Sequence, residues 1–281
     1  MNSTIMNWLF LIITLLIAIL SILKFANFWF HRLTCRRVEK FLKKVDTLKY
    51  SHAATKKMDC LPPIIQKWMH FSGISDHKKV TLVYIEKSGR MKTKPNAKWI
   101  SYSAKQYFNV VDPAFIWIAD IKLTPGIYLR ARDQLENGKA EMSIKLFSIF
   151  PVVNEKNNPK IDSGAMIRFL AETCWFPSAA LLNYLSWEHI SETSAKATLT
   201  YNSKYVSAIF SFHENGALKS IETMRYFDGA KNAVEQPWLV TIMDHKEFQG
   251  ITIPSKSRVT WKLQEEDFNW LEVEIKKASY N

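Results

Sequence analysis

The chain has 281 residues, a formal net charge of +12 and three cysteines. The charge is concentrated: residues 1–60 hold ten Lys/Arg against three Asp/Glu, while the other 28 bases are nearly balanced by 23 acids. With no helix-turn-helix, RRM or zinc-finger pattern beside that charge, a nucleic-acid partner is set aside, and Cys35, Cys60 and Cys174 are too scattered for a disulfide framework or a metal-ligand set.

From Trp8 to Phe30 runs an almost unbroken apolar stretch of 23 residues whose one charge is Lys24. At about 1.5 Å per helical residue it can cross a hydrocarbon core of roughly 30 Å, so a membrane anchor is expected. A cleaved signal peptide would show a basic n-region, a shorter core and a small-residue cleavage site. Met1 to Asn7 carries no base, and the stretch ends on aromatics. Arg32-Leu33-Thr34 ahead of Cys35 does not fit lipid attachment. The bases Arg32, Arg36, Arg37, Lys40, Lys43 and Lys44 follow the run, so the positive-inside rule places the C-terminal part in the cytoplasm. Val38, Phe41, Leu42, Val45 and Leu48 recur at helical spacing among these bases, which predicts a basic amphipathic helix. It would lie in the interface with Lys and Arg on anionic headgroups, or serve as a solvated linker.

A short helix is predicted over Leu61 to Phe71, with proline in its first turn and Gly73 beyond its end. From Lys79 the pattern changes to period two: Val80/Leu82/Tyr84, Ala140/Met142/Ile144/Leu146, Val206/Ala208/Phe210/Phe212 and Val259/Trp261/Leu263 each mark a strand with one dry face. Turn signals fall at Ser88-Gly89, Asp112-Pro113, Pro125-Gly126, Asn137-Gly138, Asn215-Gly216, Asp228-Gly229 and Gln249-Gly250. About a dozen strands joined tightly predict an antiparallel sheet too wide to stay flat. One helix interrupts them, from about Asp162 to Phe176, capped by Asp162 or Ser163 and stopped at Pro177. It is apolar over most of its surface, with Arg168 and Glu172 sharing the remaining face, so burial against the concave side of the sheet is expected. Asn154 to Pro159 reads as an exposed loop.

The expected fold is therefore α+β, mainly β: an N-terminal transmembrane helix, then a strongly curved antiparallel sheet, a half-barrel, wrapped over a central apolar helix. The expected divisions are an anchor over 1–31, a basic juxtamembrane helix and linker over 32–60, and the β domain over 61–281.

Several blocks resemble a bacterial family of membrane-anchored proteins with no assigned activity. They are Gln66-Lys67-Trp68 with Gly73, Gln106-Tyr107-Phe108, Pro113-Ala114-Phe115 with Trp117, Arg132-Asp133 with Gly138, and Gly164. The match continues through Arg168 to Glu172, Trp175-Phe176-Pro177, Pro237-Trp238, and Phe248, Gly250, Ile253 and Pro254. The most specific block is Glu172-x-x-Trp175-Phe176-Pro177. The chain departs from that pattern at Asp244-His245, where the family often has Asp-Tyr. A curved sheet over an apolar helix is also similar, more distantly, to the lipoprotein carriers of the LolA and LppX type, which hold acyl chains.

Phe115, Trp117, Phe169, Trp175, Phe176 and Trp238 are candidates to line an apolar cavity, or simply to fill a core. Arg132-Asp133 and Arg168/Glu172 are candidates for a charge pair at its mouth that positions a headgroup, or for ordinary ion pairs at a sheet end. Asp112, Asp120, Asp133, Glu172 and Asp244 are the carboxylates near apolar segments, but nothing in the sequence brings two together. His189 and His213 lack partners at metal spacing, and adjacent strand residues such as Asp244 and His245 point to opposite faces. No nucleophile elbow, zinc, P-loop or dinucleotide motif appears, so no catalytic residue, metal or cofactor is expected. The expected function is binding of a lipid or other apolar ligand at the membrane without turnover, the partners being the bilayer and a bound lipid or acyl chain. The alternatives are a ligand-free interaction module of a membrane complex and a lipid hydrolase.

Overall fold

Helix α1 runs unbroken from Ser3 to Thr47 in the computed structural model, which describes residues 3–47, 55–75 and 79–281. No glycine or proline occurs before Pro62, so nothing in the sequence stops the helix where the apolar run ends. Among the described residues, α1 is the one helix long and apolar enough to cross a membrane, and its apolar stretch is exposed. The exposure changes at its base. Phe30, Thr34, Phe41 and Val45 are buried, a stripe one helical face wide. Phe41 and Val45 pack with Val38 and Leu42 against Leu82, Tyr107, Ala114, Ile116 and Ile118. The apolar face of the basic stretch thus lies on the protein's own sheet and not in a bilayer interface. Arg37 reaches Glu141 at 3.0 Å, and Lys44 reaches Glu136 at 3.0 Å and Asp112 at 3.5 Å. Arg32, Arg36, Lys40 and Lys43 stay exposed.

After a 3₁₀ turn (Met58–Cys60), α2 (Pro63–Phe71) begins on proline, as its sequence predicts, and is followed by Gly73 at φ +71°. Trp68 of α2 packs on Trp187, Phe210 and Phe212, so α2 closes one flank of the domain.

The thirteen strands among the described residues belong to one antiparallel sheet. Its first arm is β1 (Leu82–Met91), β2 (Ile100–Asn109), β3 (Ala114–Thr124), β4 (Ile127–Glu136), β5 (Lys139–Leu146) and β6 (Phe150–Lys156). The second is β7 (Leu185–Ser191), β8 (Ser194–Tyr201), β9 (Lys204–Phe212), β10 (Leu218–Tyr226), β11 (Glu235–Phe248), β12 (Ile251–Lys262) and β13 (Asp267–Tyr280). Each arm is a meander, and β1 pairs with β13 at the centre, leaving β6 and β7 as the edges. Helix α3 (Pro159–Glu172) joins those edges and touches β4 and β5 on one side and β8, β9 and β10 on the other. A helix can meet both arms only if the sheet curls round it, which is the half-barrel the sequence predicts.

Asp162 holds the curl at one end. Its carboxylate, 1% exposed, accepts from the Ala140 N–H at 2.8 Å and pairs with Lys139 at 3.0 Å and Lys204 at 2.9 Å. Lys204 also donates to the Gly138 carbonyl, so the β4–β5 and β8–β9 hairpin tips meet over the first turn of α3. Burial opposes ionisation of Asp162, but the Ala140 N–H and the two lysines outweigh it and hold the carboxyl below the usual range.

Three expectations are corrected. The N-cap of α3 is Asn158, whose side chain accepts from the Lys160 N–H at 3.1 Å; Asp162 faces the hairpins instead, and the helix ends at Glu172, with 3₁₀ turns at Thr173–Trp175 and Pro177–Leu181 completing the apolar segment. Ser88-Gly89 is no turn but lies inside β1, where a Cβ on Gly89 would stand 1.9 Å from the Glu272 carbonyl oxygen. On β1 the core face is Val83/Ile85/Lys87, while Leu82 packs under α1. Because α1 covers part of the outside, Leu82, Tyr107, Ile116 and Ile118 are outward positions that are nonetheless apolar or aromatic, and there alternation does not reveal which face is inner.

Candidate functional site

The concave face and α3 do not fill the space between them. A cavity of about 290 Å³ remains, bordered by strands from both arms and by Ala171, Cys174 and Trp175 of the helical segment. Trp117, Trp175, Trp238 and Trp270 supply much of its wall. Strand pairing explains part of this, because Gln106, Trp117, Asp133 and Met142 are successive register partners and form one row across β2 to β5. A larger cleft of about 510 Å³ lies between α1 and the outer face of the sheet, but charged residues such as Glu39, Lys105, Asp120, Arg130 and Lys276 line it.

A buried charge cluster forms the floor of the concave cavity. Arg168 binds Asp133 at 2.6 Å and, one turn along α3, Glu172 at 3.0 Å. Lys87 of β1 approaches Glu172 at 3.2 Å and sits over the Trp175 ring at 4.3 Å. Gln106 ties them together: its Nε2 donates to Glu172 at 2.7 Å, and its Oε1 accepts from Lys87 at 2.6 Å and from Arg168 at 3.2 Å. Arg225 of β10 completes the set, its guanidinium lying 5.3 Å from the Trp238 ring centre and 5.6 Å from that of Trp261.

Burial and neighbouring charge set the ionisation of these groups. Burial pushes the Lys87 ammonium down to about 8 despite Glu172. Burial would raise Glu172, but Arg168 and Lys87 overcome it and hold its carboxyl below the usual range. Burial wins at Asp133, which is raised even beside Arg168. Arg225 falls to about 10 through burial and the repulsion of Arg168. The Cys174 thiol, also buried, is pushed well above its ordinary value, so it stays protonated and is a poor nucleophile.

A model described as a family of unknown function (DUF6920) matches residues 59–280, from the turn before α2 to the end of β13. The chain belongs to that family. The Glu172 to Pro177 block lies within the match. No curated protein matches the chain. Among solved structures it is similar to a candidate outer-membrane lipoprotein-sorting protein domain from Vibrio parahaemolyticus, at 10% identity over 80% of this chain and 94% of that one, with a TM-score of 0.39. It is also similar to a LolA superfamily protein from Nitrosomonas europaea (8% identity, 78% and 92% covered, TM-score 0.43). A DUF1329 family protein from Desulfovibrio piger is a third (10%, 73% and 87%, TM-score 0.40).

Of the residues singled out in the sequence, Trp117, Arg132, Asp133, Arg168, Glu172, Trp175 and Trp238 border the cavity. Phe115, Phe169 and Phe176 do not; each is 0% exposed and packs around Phe108 in the core. Arg132 and Asp133 are no charge pair. Alternation along β4 sends them to opposite faces, Asp133 inward to Arg168, and Arg132 outward with Gln134 to where Arg37 and Glu141 lie. Among the other carboxylates, Asp120 pairs with Arg130 and Asp112 accepts from Tyr201, away from the cluster. Asp244 is exposed at a register irregularity in β11, and the His245 ring packs edge-on against Phe71. Cys35, Cys60 and Cys174 are free thiols. Among the described residues no group of three or more His, Cys, Asp or Glu is placed to hold a metal.

Sequence reasoning missed Lys87, Gln106 and Arg225. Arg225 carries the one available signal: Ile221, Thr223 and Arg225 share a face of β10, and Ile221 is fully buried, so a charge stands at an inward position.

Proposed function

We propose that the protein is a membrane-anchored receptor for a lipid or comparable apolar ligand, held in the concave cavity under α3 and released unchanged. The observation that carries this reading is the unfilled, tryptophan-walled space between α3 and the sheet. At about 290 Å³ it lies at the small end of the roughly 300–1,000 Å³ usual for ligand sites, so it suits one short chain and not a multi-chain lipid. At roughly 0.8 kcal/mol per buried CH₂, about eight methylenes offer about 6 kcal/mol before the cost of association. Turnover is disfavoured because Glu172 is committed to Lys87, Arg168 and Gln106, and Asp133 to Arg168.

In this reading α1 is a single-pass anchor. Its docked base, Phe30 to Val45, would span about 22 Å at 1.5 Å per residue, which keeps the domain beside the bilayer rather than on a long tether. The exposed Arg32, Arg36, Lys40 and Lys43 then face anionic headgroups, and the positive-inside rule puts the domain in the cytoplasm. Exposed Cys60 reports the side: a membrane-impermeant maleimide should spare it in intact cells and label it after lysis, whereas labelling of intact cells reverses the orientation.

Native mass spectrometry of the full chain in mild detergent, followed by solvent extraction, tests the binding itself. The expected result is one small single-chain amphiphile per protein. An apo mass, with the cavity unable to take up added single-chain lipids, would end the proposal and favour an interaction module.

A further inference from the structure

The buried cluster has three cations, Lys87, Arg168 and Arg225, and two carboxylates, Asp133 and Glu172. Both carboxylates are engaged by Arg168, and Glu172 also by Lys87. Arg225 is left over. Among the described residues it makes no ion pair and its Nε has no hydrogen-bond partner, although Asp133 and Glu172 attract it from further off. It is also held in place. Its guanidinium lies against the Trp238 and Trp261 rings and beside Gly164 of α3, where even a Cβ would only touch it, 3.4 Å from Nε and 3.5 Å from Nη2. Arg225 keeps part of its surface open, and it borders the concave cavity. A buried guanidinium with no counter-ion is costly, and a ligand that brings an anion removes that cost. One oxygen of Asp133, Oδ1, is likewise unpaired, and it can accept from a hydroxyl of a protonated or hydroxylated head.

We propose that Arg225 seats the anionic head of the ligand, which is a single-chain amphiphile ending in a carboxylate or phosphate, with its chain against the cavity indoles. This inference rests on the binding function proposed above and adds the chemistry of the head. The cavity would recognise its ligand at both ends: the indoles contribute area, while Arg225 discriminates acid from neutral.

The test uses the full chain in nanodiscs of neutral phosphatidylcholine, with dodecanoate, dodecyl phosphate, dodecanol and inorganic phosphate as probes. One or both anionic amphiphiles should bind roughly tenfold or more tighter than dodecanol, and inorganic phosphate should compete far more weakly. Arg225→Gln should bring the acids down to the affinity of the alcohol and leave the alcohol unchanged. The comparison of acid with alcohol on the wild-type chain needs no variant, so it holds even if Arg225→Gln folds poorly. Equal binding of acid and alcohol would overturn the anionic seat and leave the apolar site standing. Competition by inorganic phosphate as strong as that of dodecyl phosphate would overturn the amphiphile in favour of a free anion. No binding of any dodecyl compound would overturn both this inference and the function on which it rests.

Discussion

Replacing Glu172 with glutamine removes one charge from the centre of the cluster with almost no change of shape. The carboxylate accepts from Lys87 at 3.2 Å, Arg168 at 3.0 Å and Gln106 at 2.7 Å, all of them buried or nearly so. Without it, three cations face only Asp133. The amide NH₂ would also confront donors in at least one of its three contacts. Taking one partner from a buried ion pair typically costs about 3–5 kcal/mol. For a domain of this size about 2–4 °C accompany each kcal/mol, so the melting temperature of the full chain in detergent should fall by roughly 6–20 °C. The double variant Lys87→Met/Glu172→Gln removes a cation together with the carboxylate. It should be more stable than the two single losses added together, by about 1–3 kcal/mol. Thermal unfolding followed by tryptophan fluorescence measures all four proteins. A loss under about 2 °C in Glu172→Gln, or strict additivity in the double variant, would refute the claim that these charges are buried and mutually dependent.

Other consequences follow from single groups. The Lys87 ammonium is harder to keep in the fold than in the unfolded chain, so between about pH 8 and the ordinary lysine range the folded state binds fewer protons and stability rises with pH. From pH 7.5 to 9.5 wild type should gain on Lys87→Met, by at most about 1.4 kcal/mol per pH unit, and a flat difference would contradict the burial of that charge. Asp162→Asn keeps an acceptor for the Ala140 N–H but loses both lysines, which are partly exposed. A cost of about 1–2 kcal/mol is expected, with faster hydrogen exchange at the β4–β5 and β8–β9 tips, and unchanged exchange there would show that Asp162 holds nothing closed. Phe41→Asp should release the base of α1 from the sheet and speed alkylation of half-buried Cys35 several-fold relative to Cys60; equal rates would mean that α1 is not docked.

Much of this architecture is written in local pattern. The meander follows from period-two segments and from turns such as Asn137-Gly138 and Asn215-Gly216, and the unbroken apolar face of α3 required burial inside the curve. Other features depend on partners remote in sequence. The stripe through Phe41 and Val45 was legible as an apolar face, but helical period cannot tell whether a bilayer or a sheet covers it. The telling sign was on the other partner: Ile116 and Ile118 are apolar on the same face of β3 that would otherwise meet water. Lys87 was hidden for a related reason. Glu86-Lys87-Ser88-Gly89 reads as a strand end and a turn, yet the strand continues because Gly89 lets the Glu272 carbonyl approach. Glu172 stood out beside Arg168 at helical spacing, but its other partners, Lys87 and Gln106, arrive from strands about 65–85 positions away. The aromatic inventory could not be divided between core and cavity, because Phe169 on α3 and Trp175 on the 3₁₀ turn that follows are parted only by the local turn of the backbone.

The central claim is that the space beside Ala171 is vacant and holds a ligand. Wild type and Ala171→Trp, purified side by side as full chains, can be extracted and their lipid-to-protein ratios compared alongside their melting temperatures. The account predicts about one amphiphile per wild-type chain and almost none on the variant, with little loss of stability because the indole enters empty space. A filled core would instead lose about 1–3 kcal/mol on overpacking, and that loss, or equal lipid on both proteins, would contradict the account.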